Sequence, residues 1–327
     1  MSKILTMLTS LELCAGAGGQ ALGIEKAGFT HQAVIEIDKH CRQTLFANRP
    51  KWNITAGDQA DLKTFLGAPF KGIDLVAGGL PCPPFSLAGK RLGAKDDRDL
   101  FPDALRIIDE CRPNAVMIEN VKGFLSNSFE SYRDQLKTKF KKLGYIVDWK
   151  ILHASDFGVS QERPRLVIIA LKKGTFANYF EWPTPFSKKP KSVGVLLGDL
   201  MKENGWREAE AWIETANKIA PTLVGGSKKH GGADLGPTRA KEAWLKLGVD
   251  GKGIADAAPG STFHGYPRLT LKMVARLQGF PDSWEFSGGK TSTYRQIGNA
   301  FPSPVANAVA KQVAKALCIR RSIPIVK

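Results

Sequence analysis

Long apolar runs are missing from this sequence, and cysteine, histidine and acidic residues are sparse. Of its 327 residues, five are cysteine, five histidine and 31 acidic. Cys14, Cys41, Cys82, Cys111 and Cys318 are odd in number, far apart, and form no C-x-x-C pair. A disulfide framework and a structural zinc site are thereby excluded, no metal is expected, and a reducing compartment fits. No apolar stretch reaches membrane-spanning length, and Met1 to Thr9 lacks a charged leader followed by a cleavage site. A cytoplasmic chain without a membrane partner is expected. The shortage of carboxylates leaves 47 lysines and arginines in excess, for a net charge of +16. Such a balance favours an anionic partner, nucleic acid ahead of a membrane surface or an acidic protein. Residues 1–172, 173–268 and 269–327 carry excesses of +5, +4 and +7, so the charge is not a basic tail on a neutral body.

What is present is an alternation of short apolar runs and amphipathic segments through residue 171. Strands are expected at Ile4 to Leu13, Ala33 to Ile37, Ile73 to Ala77, Ala115 to Ile118, Ile146 to Leu152 and Leu166 to Leu171. Helices are expected up to Ala27, up to Ala47, around Leu105 to Cys111, and near Tyr132 to Leu143. This is the pattern of an α/β fold, a largely parallel sheet covered on both faces. Ligands in such folds sit beyond the carboxyl ends of the strands. From residue 173 to 268 the texture turns to Gly, Pro, Lys and Trp without long alternation, which predicts a smaller, loop-rich second domain. Regular pattern returns at Leu269 to Leu277 and at Pro302 to Leu317. There Val305, Val309, Val313 and Leu317 form one apolar stripe, expected to dock back on the first domain.

Four motifs carry chemistry. Leu13-Cys14-Ala15-Gly16-Ala17-Gly18-Gly19 ends the first strand and opens a helix, where glycines let backbone approach a ligand. Glu36 follows Gly16 by 20 residues, at the end of the second strand, where it can accept hydrogen bonds from ribose hydroxyls. Gly78-Gly79-Leu80-Pro81-Cys82-Pro83-Pro84-Phe85-Ser86 follows the third strand, and its prolines restrict where the Cys82 sulfur can point. The residues after it, Lys90, Arg91, Lys95 and Arg98, suit contact with a phosphate backbone. Ile118-Glu119-Asn120-Val121 brings a carboxylate out of an apolar strand, a candidate acid whose pKa burial would raise. Gln161-Glu162-Arg163-Pro164-Arg165 precedes the last strand, with two arginines on alternate positions of an extended segment.

In this order the four motifs resemble the cytosine-C5 DNA methyltransferase family of bacterial type. The likeness covers the first 171 residues and resumes at Leu269 to Phe280 and at Gly298-Asn299-Ala300-Phe301-Pro302. Pro83 stands where the family often has Gln. The resemblance implies a Rossmann-like S-adenosylmethionine-dependent methyltransferase sheet at 1–172, a target-recognition domain at 173–268, and a return to the catalytic domain at 269–327. It also implies methylation of a cytosine flipped out of duplex DNA. Cys82 would be the nucleophile on C6, Glu119 the acid at N3, Arg165 a donor to O2, and Arg163 a positioning group nearby. Cys14, Ala15, Gly16, Ala17, Gly18 and Gly19 would hold S-adenosylmethionine, with Glu36 on its ribose and Asp58 on its adenine amine. Ile37 and Gln59 would pack on the adenine, and Pro81, Leu100, Asn299 and Ala300 would line the pocket. DNA contacts are expected from Ser86, Lys90 and Arg91, and from Lys228, Lys229 and His230 in a Gly-flanked stretch, with Arg239 and Lys241 as further candidates. The setting implied is a monomer working in a restriction-modification system, with a cognate restriction endonuclease as the associated activity. Methylation of transfer RNA by the RNA branch of the same family is the alternative. A dinucleotide-dependent oxidoreductase would explain the glycine turn and Glu36 but leaves Pro81-Cys82 and Gln161 to Arg165 without a role.

Overall fold

The computed structural model describes residues 7–81, 99–173, 177–226 and 232–321. Contacts divide the chain into two compact units, one of 1–152, 164–184 and 305–327, the other of 153–163 and 185–304. These bounds differ from the breaks at 172 and 268 drawn from composition, because the helical segments after 268 group with the second unit as far as Pro304.

The first unit is built on six strands: β1 (Leu8–Leu13), β2 (Phe29–Ile35), β3 (Leu75–Gly79), β4 (Ala115–Val121), β5 (Tyr145–His153) and β6 (Pro164–Lys172). Their order across the sheet is β2-β1-β3-β4-β6-β5. β1 to β4 are parallel, and β6 runs antiparallel to β4, so that Val121 pairs with Arg165. The connecting helices are α1 (Gly19–Lys26), α2 (Lys39–Asn48), α3 (Phe101–Cys111) and α4 (Glu130–Lys142). Asp38 starts α2 by accepting the His40 and Cys41 amides, which otherwise have no partner inside the helix. α3 buries Phe101, Ala104, Leu105, Ile107, Ile108 and Cys111, one apolar stripe at helical spacing. It meets Leu11, Leu13, Val76, Val116, Ile118 and Ile168 from alternate strand positions in one core cluster. Each such aliphatic side chain stabilises the unit by about 1.5–3 kcal/mol.

The opposite side of β1 holds an unexpected residue. Glu12 is fully buried, in register with Ala77 of β3, and neither carboxyl oxygen meets a hydrogen-bond partner among the described residues. Burial pushes its pKa well above the usual carboxylate range, so the fold keeps this side chain protonated and neutral. Gln20, from α1, is also buried, donates to the Met117 carbonyl, and leaves its own Oε1 without a partner.

The second unit is more helical than its sequence suggests. It contains α5 (Val193–Met201), α6 (Ala209–Thr215), α7 (Thr238–Leu245), α8 (Leu271–Leu277) and α9 (Lys290–Asn299). α5 is hard to read because Gly194 and Gly198 disfavour a helix interior. Both are needed for contact: a Cβ on Gly194 would lie 2.2 Å from the Ile213 carbonyl oxygen of α6. Trp206 and Trp212 tie their indole N–H groups to the Phe263 and Gly248 carbonyls. The last helix, α10 (Ser303–Arg321), buries Val305, Val309, Val313 and Leu317, and from residue 305 it groups with the first unit. Among the described residues no helix is long and apolar enough to cross a membrane.

Glu12 carries a stability prediction. The unfolded chain releases this proton above about pH 4.5 while the folded chain retains it, so the stability it contributes is complete below that value and lost as pH rises through the folded-state pKa. Urea unfolding at pH 5 and pH 8 is expected to show a larger loss for the native protein than for Glu12→Gln. Equal losses would refute the assignment.

Candidate active site

Beyond the carboxyl end of β1 the chain turns through Cys14, at φ 52°, Gly16 at 55° and Gly18 at 88°, all left-handed, before α1 begins. The Ala15 amide donates to Ile35 at the end of β2, and the Gly18 amide closes the turn on the Ala15 carbonyl. A Cβ on Gly16 would meet nothing within 4 Å, so the turn faces open space and only its backbone conformation asks for glycine. Glu36, just past β2 and 8% exposed, accepts the Gly16 amide at 2.7 Å on one oxygen and the Asp38 amide at 2.7 Å on the other. Burial raises its pKa and the two amides oppose that rise. Each carboxylate oxygen keeps acceptor capacity for a further hydroxyl.

The other cofactor candidates in the first unit surround this rim unevenly. Ile37, directly after Glu36, is 65% exposed, an apolar side chain held in solvent. Asp58 is exposed in the single turn Gly57–Ala60, which follows the pairing of residues 53–55 with Val34 of β2. Gln59 is half-buried and bonded within its own loop, to the Thr64 carbonyl and the Leu66 amide. Pro81 is exposed just past β3, and half-buried Leu100 precedes α3. Cys82, Ser86, Lys90 and Arg91 lie outside the described residues, as do Lys228, Lys229 and His230.

Glu119 stands at the carboxyl end of β4, beside Gly79 of β3 in register. Its Oε1 lies 2.9 Å from Nε of Arg165, both side chains being mostly shielded from solvent. A Cβ on Gly79 would sit in ordinary contact, 3.5 Å from Glu119 Oε2 and 3.7 Å from Gln20 Oε1, which places both polar groups beside the end of β3. Arg165 also donates to the Pro164 carbonyl, which steadies the guanidinium from behind. The glycine turn, Glu36, Glu119 and Arg165 thus share one rim of the sheet, the rim toward which β1, β2, β3 and β4 all run. The Cys14 thiol is pushed well up, first by burial and then by Glu36 and neighbouring carboxylates, and Cys111 is pushed up to about 12. Neither is available as a thiolate at neutral pH.

Residues 8–315 match the C-5 cytosine-specific DNA methylase family. The chain belongs to that family. This methylase is 53% identical, over 95% of its length and 75% of the relative's, to the Type II methyltransferase M.NaeI of Lentzea aerocolonigenes. It is 54% identical, over 94% of its length and 98% of the relative's, to M.NgoMIV of Neisseria gonorrhoeae. Among solved structures it resembles the Dnmt2 methyltransferase of S. pombe, with TM-score 0.65, 18% identity, and 95% and 99% of the two chains covered. That likeness concerns the fold alone. The methylase is an enzyme, a methyltransferase.

In the second unit of the methylase, Arg163 is fully buried. Its guanidinium donates to the carbonyls of Leu223 at 2.8 Å, Gly298 at 2.8 Å and Ala300 at 3.0 Å. The sequence suggests an arginine beside a substrate, whereas the side chain points inward. Asn299 ends α9 and donates from its amide to the Gly226 carbonyl. Arg239 is exposed on α7, and half-buried Lys241 is held 3.0 Å from Asp234. Sequence reasoning passed over Glu12, Gln20 and Gln278. The one available signal was Glu12, a carboxylate between Leu11 and Leu13 in a strand with both faces covered.

The Glu119–Arg165 pair predicts its own energetics. Arg165→Met leaves a shielded carboxylate without this cation and is expected to cost about 3 kcal/mol in denaturant unfolding. Adding Glu119→Gln is expected to recover part of that loss, since the uncompensated charge goes with it. A double variant as unstable as the sum of the single variants would disprove coupling.

Proposed function

We propose that this enzyme transfers a methyl group from S-adenosylmethionine to C5 of a cytosine flipped out of a specific duplex DNA sequence, through a covalent bond between Cys82 and C6. The observation that carries the proposal is the Glu119–Arg165 pair beside Gly79, three residues before Cys82. That pair lies on the same rim as the glycine turn and Glu36.

The open turn from Cys14 to Gly19 and the anchored Glu36 carboxylate fit an adenosyl cofactor, the backbone for its amino-acid end and the carboxylate for its ribose. Bound there, the cofactor supplies an electrophilic methyl on a sulfonium. Asp58 would take the adenine amine, Ile37 and Gln59 would pack on the ring, and Pro81, Leu100, Asn299 and Ala300 complete the set by family likeness.

C5 of cytosine is too weak a nucleophile for that methyl. The Cys82 thiolate adds to C6 while Glu119, in its protonated form, delivers a proton to N3 as charge develops there, and C5 becomes an enamine carbon. Arg165 steadies Glu119 and offers its remaining N–H groups to O2, stabilising charge that exists mainly in the transition state. After methyl transfer a base removes the C5 proton, the C5–C6 double bond re-forms as Cys82 leaves as thiolate, and the N3 proton returns to Glu119. None of these groups reaches a stacked ring, so the base must be extruded, at a cost on the order of 3 kcal/mol. Ser86, Lys90 and Arg91, and across the second unit Lys228, Lys229, His230 and Arg239, are the groups proposed to offset it on DNA. Lys241, already paired with Asp234, is the weaker member of that set.

The DNA description of the family and the Type II names of the relatives at 53% and 54% identity favour duplex DNA over transfer RNA, and support a role in protecting DNA from a cognate restriction endonuclease. Bisulfite sequencing of a naive genome expressing this chain is expected to show 5-methylcytosine at one short sequence, and Cys82→Ser to abolish it. Labelled methyl entering transfer RNA but not duplex DNA would overturn the proposal. Joint replacement of Lys228, Lys229 and His230 by alanine is expected to weaken DNA affinity or blur site choice, and unchanged values would remove them from the DNA-reading set.

A further inference from the structure

Arg163 has work that the reaction scheme does not use. A buried guanidinium is expensive unless its donors are met, and here three carbonyls meet its two terminal amino groups. Gly298 and Ala300 belong to the end of α9, where carbonyls lack intrahelical partners and the helix dipole is negative, so Arg163 caps that end. The third carbonyl, Leu223, belongs to a separate stretch, 220–226. Gln161 reinforces the same joint: its Oε1 accepts the Leu223 amide at 2.9 Å and its Nε2 donates to the side chain of Gln278, which in turn donates to Ala300. Gln161 and Gln278 are both fully buried.

The two stretches also touch backbone to backbone. A Cβ on Gly298 would lie 2.6 Å from Gly225 Cα, and one on Gly225 would lie 2.7 Å from the Asn299 amide nitrogen. Nothing larger than glycine fits either position. On its far side the 220–226 stretch reaches Gly236, whose Cβ would lie 3.7 Å from Val224, at the start of the helix that presents Arg239. Contacts therefore run from the 298–300 turn through the buried joint at Leu223 and Gly225, and on through exposed Val224 to half-buried Gly236 at the foot of α7.

We propose that Arg163 is a positioning residue that locks the Gly298–Ala300 turn to the 220–226 stretch, so that a ligand held by the turn is felt at α7. The inference rests on the reading above, in which Asn299 and Ala300 serve the cofactor and Arg239 serves DNA. Tight packing of this kind transmits displacement because the joint cannot deform gradually, and linkage makes the effect reciprocal.

Hydrogen exchange on the full chain, with and without S-adenosylhomocysteine as probe, tests it. Saturating probe is expected to slow exchange at 14–19, at 220–226, including the Leu223 amide, and at 236–245, by at least about five-fold. In Arg163→Lys, whose single ammonium cannot replace a planar fork, slowing at 14–19 is expected to persist while that at 220–226 and 236–245 falls toward one-fold. Gln278→Met, which leaves the guanidinium in place and removes the side-chain donor to Ala300 without adding bulk, is expected to do the same and serves if the lysine variant fails to fold. Slowing confined to 14–19 in the native protein would overturn the inference alone, as would full transmission in either folded variant. Absence of probe binding in calorimetry would instead sink the cofactor reading and take the inference with it.

Discussion

The pairing of Glu119 with Arg165 is the constraint around which the first unit is arranged. A shielded carboxylate at the end of β4 needs a cation nearby, and the chain provides one by reversing β6. Were β6 parallel to β4, its first residues would sit at the opposite edge of the sheet, far from Glu119. One antiparallel strand therefore puts the start of one element beside the end of another. Glu119 and Arg165 come to share an edge with the glycine turn although a hundred residues or more separate them from it in sequence.

The molecule handles buried polarity in three ways. Arg165 is matched by a carboxylate, Arg163 by helix-end and stretch carbonyls, and Glu12 by keeping its proton. Desolvation poses the same problem each time, but the consequences differ. An ion pair can exchange its partner for a substrate. A charge surrounded by carbonyls is a fastener, since its acceptors are main chain and cannot swing away. A protonated acid makes stability depend on pH without touching the chemistry.

Much of this was legible in the sequence, and the limits have physical causes. The strands of the first unit are visible because sheets covered on both faces leave continuous apolar runs, and Glu119 and Arg165 stand out where such runs meet polar motifs. β2 is expected at Ala33 to Ile37 but forms at Phe29–Ile35, since Thr30, His31 and Gln32 dilute its apolar start while Thr9 and Ser10 of β1 face Thr30 and His31 in register. The helices α5 to α7 escape notice because they are short, and because α5 carries glycines whose value lies in the contact with Ile213 rather than in local preference. Arg163 shows the sharper limit. Two arginines on alternate positions look equivalent along the chain, yet one joins the sheet rim and the other enters the second unit. Direction of burial is a tertiary property.

The first unit draws on three separate stretches: the chain through Leu152, residues 164–184, and the helix from Val305 onward. During synthesis the ribosome delivers these in order, with residues 185–304, most of the second unit, emerging between the second stretch and the third. The apolar stripe of α10 follows residues 185–304, so the sheet domain waits, incompletely covered, while that part of the second unit is made.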